Sequence, residues 1–285
     1  MGLRIVTGVV LIAAVVSLVY WGPAWLLTAV AAIVALLALN EFFGLGERLG
    51  LRAFKKWTFV CAAAIFYAQY AAGMVETHAL GPEVLLTRSF GTISLPIEAV
   101  FLVFLFGAAG IGLATRRPIQ DVLPAISISS AGLLFVVLPF SYLVRINEIE
   151  RLGGALILFT LVLIWAGDTL AYFVGKFTGR VKMAPVLSPK KTWEGAIANV
   201  IGSLIVAFVA ARWMDIDVTR LLIIAGAANV AGQMGDLIES AYKRGAGVKD
   251  SGTIIPGHGG MLDRIDSLIL AAPIVWVLYT WFSVS

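Results

Sequence analysis

The feature that most constrains this chain is a succession of apolar stretches, each about 20 residues long, separated by short polar links. Coiled as helices, such stretches cross roughly 30 Å of hydrocarbon. The ten-residue alternating segments of a membrane barrel are absent. Composition agrees, since 60% of the 285 residues are hydrophobic and only 13% are charged, with a mean hydropathy of +0.95. A soluble domain carries about twice that charge fraction. The expected fold class is an all-α, polytopic transmembrane helical bundle.

Spans are expected near residues 3–21, 23–46, 57–75, 95–114, 122–143, 152–176, 193–213, 219–242 and 267–284, nine in all. Gly22-Pro23 should break the first pair into a hairpin, because Pro23 cannot continue a helix. Arg4 and the apolar run after it read as a first membrane helix rather than a cleaved signal. Residues 76–94, with Glu76, His78, Pro82, Glu83 and Arg88, form the one sizeable early loop. The single cysteine, Cys61, excludes a disulfide within the chain and argues against a Cys-based metal site.

The placement of Lys and Arg carries more information than the net charge of +4, which in a soluble protein would hint at nucleic acid. One side of the expected bundle receives Arg4, Arg48, Arg52, Lys55, Lys56, Arg116, Arg117, Lys176, Arg180, Lys182, Lys190, Lys191, Lys243, Arg244, Lys249 and Arg264. The other receives only Arg88, Arg145, Arg151, Arg212 and Arg220. The positive-inside rule then puts the N-terminus in the cytoplasm and, with nine spans, the C-terminus outside. Arg48 to Lys56, Arg116 and Arg117 are assigned to topology and lipid headgroups.

Ionisable residues within spans are expensive and face a partner or a water-filled cavity. The first five spans are almost free of them. Asn40 and Glu41, near the cytoplasmic end of the second, read as interfacial, with a supporting role at a site as the alternative. Residues 1–145 are therefore expected to be scaffold and 146–285 to be the catalytic region with its cytoplasmic loops. Asp168 interrupts the sixth span and shares a helical face with Tyr172 and Gly175. Pairing with a Lys of another helix is the structural alternative for Asp168. In the eighth span Asn229, Gln233, Asp236, Ser240 and Lys243 recur on one side, with Glu239 beside them. Hydrogen-bonded glue between helices could use such a stripe, but the grading into Lys243-Arg244 favours a site.

The loop that follows mixes Lys249, Asp250, Asp263, Arg264 and Asp266 with Gly245, Gly247, Gly252, Gly257, Gly259 and Gly260. Glycines let the backbone approach a ligand closely, and exposed N–H groups can cradle anionic oxygens. Lys and Arg supply phosphate partners, and carboxylates supply the hard oxygens Mg²⁺ prefers. That mixture points to a metal–polyphosphate site. His258 reads as a phosphate contact or a loop-shaping donor rather than a general base. Earlier, Ser188-Pro189-Lys190-Lys191-Thr192-Trp193-Glu194-Gly195 opens the seventh helix, with Thr192 as N-cap and Glu194 in the first turn. Lys190 and Lys191 beside that N-terminus would suit an anion.

These residues carry a resemblance. Ser240-x-x-Lys243-Arg244-x4-Lys249-Asp250-x-Gly252, followed by Pro256-x-His258-Gly259-Gly260-x-x-Asp263-Arg264-x-Asp266, resembles the signature of the phosphatidate cytidylyltransferases, or CDP-diacylglycerol synthases. The Ser188–Gly195 and Asp168 regions are similar to the same family, and Tyr242 departs from it where an apolar residue is expected. The resemblance covers roughly the C-terminal 120 residues. It implies transfer of a cytidylyl group from CTP to phosphatidic acid in phospholipid biosynthesis, with Mg²⁺, in a homodimer of the bacterial inner membrane whose site faces the cytoplasm. It also implies Asp236 and Asp263 as metal ligands, with Asp168, Glu239, Asp250 and Asp266 as secondary candidates. Lys243, Arg244 and Lys249 are then catalytic, and Ser188, Lys190, Lys191, Ser240, His258, Gly259, Gly260 and Arg264 bind substrate. The rival readings are a CTP-dependent lipid-alcohol kinase and a cation transporter. The transporter has little use for a cationic glycine-rich loop, and no matching pair of broken spans marks an inverted repeat.

Overall fold

The computed structural model describes residues 2–78, 95–115, 117–254 and 259–284. Its helices, numbered in chain order among these residues, are α1 (Gly2–Trp21), α2 (Ala24–Arg48), α3 (Lys55–His78), α4 (Ile97–Ala114), α5 (Ile119–Gly132), α6 (Leu138–Asn147), α7 (Gly153–Phe177), α8 (Trp193–Met214), α9 (Val218–Gly245) and α10 (Leu262–Val284). A π-helical turn, Leu133–Val137, joins α5 to α6 in one continuous rod, Ile119–Asn147. It lies directly ahead of Pro139, whose ring and missing N–H disturb the regular ladder. Seven of these helical segments are long and apolar enough to cross a membrane. The chain is an all-α, polytopic integral membrane protein, since helices satisfy their own backbone groups in lipid. Of the loop expected over 76–94, residues 76–78 instead continue α3, and 79–94 lie outside the described residues together with Arg116, Gly257 and His258.

Prolines mark where helices begin. Pro23, Pro96 and Pro118 stand at the N-caps of α2, α4 and α5, with extended ψ angles of 151°, 141° and 136°. A proline there sacrifices no helical donor, because the first N–H groups have no partner in any case.

The chain divides into two units, residues 1–153 with 251–262, and residues 154–250 with 263–285. In the first, Leu39, Phe43, Ile65, Phe66, Phe104 and Leu133 are fully buried. Several buried polar groups there are paired, as the low dielectric favours. The Phe54 N–H donates to Ser129 Oγ at 2.9 Å, and Gln69 Nε2 donates to Ser141 Oγ at 3.1 Å. Arg117, expected to serve topology, donates to the Arg52 carbonyl at 2.7 Å and stacks over Phe54. Glu41, expected at the interface, is buried, and its carboxylate accepts from Ser251 Oγ and the Leu262 N–H.

In the second unit α7 and α8 approach through small residues, as helices without a hydrophobic drive between them must. A Cβ on Gly202 would lie 3.1 Å from both the Ala166 carbonyl oxygen and the Gly167 Cα. Gly195 packs the same way on Ala171 and Gly175. Between these helices lies a feature absent from the expected fold, a two-stranded antiparallel hairpin of β1 (Lys182–Ala184) and β2 (Ser188–Thr192). Its short, lysine-rich strands carry no apolar alternation, so periodicity could not reveal it.

Candidate active site

The site of the second unit is built on α9. Its stripe stands as spaced in the sequence, and each member has a partner. Gln233 Nε2 donates to Asn229 Oδ1 at 2.7 Å, and Asn229 Nδ2 donates to Asn199 Oδ1 and to Ser203 Oγ, both at 2.6 Å. Asn199 Nδ2 in turn donates to Asp168 Oδ1 at 3.0 Å. Asp168 is thus exposed yet tied through Asn199 to the α9 stripe. Asn199 and Ser203 were not anticipated as site residues. Their signal was available, since they stand at i and i+4 on the same α8 face as Gly195 and Gly202.

Toward the end of α9 the stripe becomes charged. Lys191 Nζ lies 2.5 Å from Asp236 Oδ2, and Ser240 Oγ donates to Asp236 Oδ1 at 3.4 Å. Lys243 Nζ lies 2.5 Å from Glu239 Oε2 and 2.6 Å from Asp263 Oδ1. Glu239 is fully buried, and its Oε1 has no hydrogen-bond partner among the described residues. Oxygens of Asp236, Glu239 and Asp266 lie within 4.8 Å of one another. The Asp266 carboxylate accepts from the Ser267 N–H at 2.6 Å.

These six ionic groups do not balance. Two ammonium groups, on Lys191 and Lys243, face four carboxylates, on Asp236, Glu239, Asp263 and Asp266, leaving a formal excess of two negative charges. Like charges held this close in a low dielectric repel by several kcal/mol, on the order of 4 per pair at an effective dielectric of 20. Three hard carboxylate donors, one with an orphaned buried oxygen, fit a divalent cation of the Mg²⁺ type. Asp236, the expected ligand, belongs to this trio with Glu239 and Asp266, whereas Asp263 is held by Lys243.

The hairpin explains the Lys190–Lys191 pair. Successive strand residues point to opposite faces, so Lys191 reaches Asp236 while Lys190 is exposed. Thr192 caps α8 as expected, accepting from the Gly195 N–H at 3.2 Å. Glu194 accepts from the Arg180 and Val181 N–H groups, at 3.0 and 3.2 Å, and so fastens the chain entering the hairpin. Those two bonds hold the exposed Glu194 carboxylate in place as a structural tie. Arg244 donates to the Leu187 and Val248 carbonyls at 3.2 and 2.8 Å, which leaves it at the rim. Ser188 is half-buried at the start of β2, and Lys249, Asp250 and Arg264 are exposed. Gly259 and Gly260 belong to the other unit, where Gly259 takes a left-handed φ of 84° and a Cβ on Gly260 would strike the Glu41 carboxylate.

The chain is thus a polytopic helical membrane protein with a carboxylate-rich ion cluster flanked by exposed basic residues. The chain belongs to the Cytidylyltransferase family, whose pattern it matches over residues 2–282. It is 41% identical over 152 residues to a phosphatidate cytidylyltransferase of Bacillus subtilis, covering 53% of this chain and 56% of that one. A phosphatidate cytidylyltransferase of Staphylococcus saprophyticus is 43% identical over 149 residues, covering 52% of this chain and 56% of its own. One from Haemophilus influenzae is 44% identical over 133 residues, covering 45% and 46%. The chain thus spans about half the length of the curated relatives it matches.

Proposed function

We propose that this protein transfers the cytidylyl group of CTP to phosphatidic acid, giving CDP-diacylglycerol and pyrophosphate. The observation that carries the reading is the α9 cluster, in which Lys191 pairs with Asp236, Lys243 pairs with Glu239 and Asp263, and Asp266 lies beside Asp236 and Glu239. Family membership and the names of the relatives support the choice of substrates.

The phosphate of phosphatidic acid is already anionic at neutral pH, so its oxygen can attack the α-phosphorus of CTP without a strong base. A new P–O bond forms there while the bond to the β-phosphate breaks, and pyrophosphate leaves with the electron pair. The task for the protein is to bring two polyanions together and to stabilise the leaving group. Lys190, Lys191, Lys243, Arg244, Lys249 and Arg264 serve the phosphates of nucleotide and lipid, with Arg able to bind bidentately. Ser188, Ser240, His258, Gly259 and Gly260 complete the substrate contacts. Asp236 and Asp263 are the metal-site aspartates, with Glu239 and Asp266 lying close enough to share the cation and Asp168 and Asp250 as further candidates. Mg²⁺ bound there would neutralise phosphate charge and polarise the α-phosphoryl group. Residues 1–145 act as scaffold and 146–285 as the catalytic region. Nine spans, a cytoplasmic N-terminus and site, residence in a bacterial inner membrane and a homodimeric state complete the proposal.

The test is direct. Purified protein in detergent, given cytidine-labelled CTP, phosphatidic acid and Mg²⁺, is expected to make a lipid-soluble cytidine product and to release pyrophosphate. With a lipid alcohol such as diacylglycerol supplied as well, release of CDP and transfer of the γ-phosphoryl group to the lipid hydroxyl would instead identify the kinase reading. Label that remains wholly aqueous, with no product of either kind, would reject both.

A further inference from the structure

We infer that Glu41 is the positioning residue of the glycine-rich segment 251–262, and through it of Asp263. One carboxylate oxygen, Glu41 Oε2, accepts from Ser251 Oγ at 3.0 Å and from the Leu262 N–H at 2.8 Å. The first and last residues of the segment are therefore fastened to a single atom. Asp250 immediately precedes this clasp in the chain, and Asp263 immediately follows it.

The glycines of the segment fit this role. A Cβ added at Gly252 would come closest to the Glu41 side chain, at its Oε1, Cδ and Cγ atoms. A Cβ at Gly260 would meet Glu41 Oε2 and Ser251 Oγ. Both positions thus let the backbone lie directly against the carboxylate. Beside the first of these glycines, Thr253 and Ile254 are exposed and border an open cavity of about 520 Å³ that also reaches Asn40 and Arg48. Glu41 itself is 6% exposed, and its Oε1 has no hydrogen-bond partner among the described residues. Burying a carboxylate is costly unless it is hydrogen-bonded, so this one is retained against its own desolvation by the two ends it holds.

The activity readout rests on the proposed cytidylyl transfer, whereas a second readout does not. Glu41→Gln keeps an amide oxygen that can accept both bonds, and Glu41→Leu keeps the volume without an acceptor. A displacement of about 1 Å in a catalytic group costs about 100-fold, so Glu41→Leu is expected to lower kcat at least about tenfold with KM for CTP changed less than about threefold. Glu41→Gln should restore kcat to within about threefold of the parent. Independently of any activity, hydrogen exchange at the Leu262 amide should accelerate at least about tenfold in Glu41→Leu and stay slow in Glu41→Gln. A double-mutant cycle covers the case in which Glu41→Leu fails to fold. Gly252→Ala should lower kcat about tenfold beside Glu41 and less than about twofold beside Glu41→Ala, because the nearest atoms to the added Cβ all belong to Glu41. Parent-like kcat and Leu262 protection in Glu41→Leu, equal losses in the Leu and Gln variants, or additive effects in the cycle would each overturn the inference. An inactive parent with the expected exchange pattern would reject the transfer reading and leave the clasp standing.

Discussion

The Lys243 ammonium lies 2.6 Å from Oδ1 of Asp263, so the C-terminal end of the α9 stripe is bound to the first turn of α10. Lys243 also serves Glu239 one turn earlier on its own helix. One cation therefore holds two carboxylates whose side chains are 0% and 7% exposed. Removing it leaves both buried charges uncompensated, and breaking a buried pair in that way costs about 3–5 kcal/mol. Lys243→Met is expected to lose stability on that scale, measured by thermal unfolding in detergent. Adding Glu239→Gln should recover part of the loss, because it removes one of the two stranded charges.

The metal assignment has its own test. Asp236→Asn removes one carboxylate from the trio with Glu239 and Asp266, and leaves Lys191 near a neutral amide. CTP turnover should fall by at least about 100-fold, with the Mg²⁺ concentration for half-maximal activity raised. Asp263→Asn should fall comparably. Wild-type turnover in a well-folded Asp236→Asn variant would remove the carboxylate trio from the mechanism. Chelation with EDTA should abolish activity in the parent, and added Mg²⁺ should restore it.

Asn199 is the hub between Asp168 and Asn229. Interhelical hydrogen bonds in membranes average only about 0.6 kcal/mol each, so Asn199→Leu, which severs two and leaves the Asn229 amide with Ser203 Oγ, should cost about 1–2 kcal/mol. Unfolding in detergent would measure it, and the same variant should lower activity if Asp168 contributes to the site.

Glu148, just beyond the C-terminus of α6, supplies a pH dependence. Burial raises its pKa above the usual 4.5. The native state therefore binds its proton more readily than the unfolded chain does, so stability is lower above the raised pKa and recovers as pH falls toward 4.5. Glu148→Gln should be more stable than the parent near pH 7.5, with the difference shrinking toward pH 5, as read from melting temperatures at the two values. Melting temperatures that differ equally at both would disprove it.

Much of this was legible in the linear chain, for identifiable reasons. Hydrocarbon thickness and the obligation to satisfy backbone groups make long apolar runs unambiguous, so α2, α4, α7, α8, α9 and α10 stood close to where they were read. Helical periodicity likewise put Asn229, Gln233, Asp236, Ser240 and Lys243 on one face, and that face carries the hydrogen-bonded ion cluster. The Thr192 cap was readable because capping is local.

What the tertiary structure alone decided is pairing. Which carboxylate meets which lysine depends on helix–helix contact, and nothing local to Asp263 distinguishes a metal ligand from the partner of Lys243. The hairpin that separates Lys190 from Lys191 is set by cross-strand bonds and by Glu194, not by any apolar pattern. Glu41 is the clearest case. It stands 210 residues from Ser251 and 221 from Leu262, and its neighbours in sequence carry no sign of that contact. The chain by itself determined that the protein spans a membrane and which helix face is polar, because those follow from solvent and period. It took the packed structure to determine which charges neutralise one another, because that depends on distances no sequence spacing encodes.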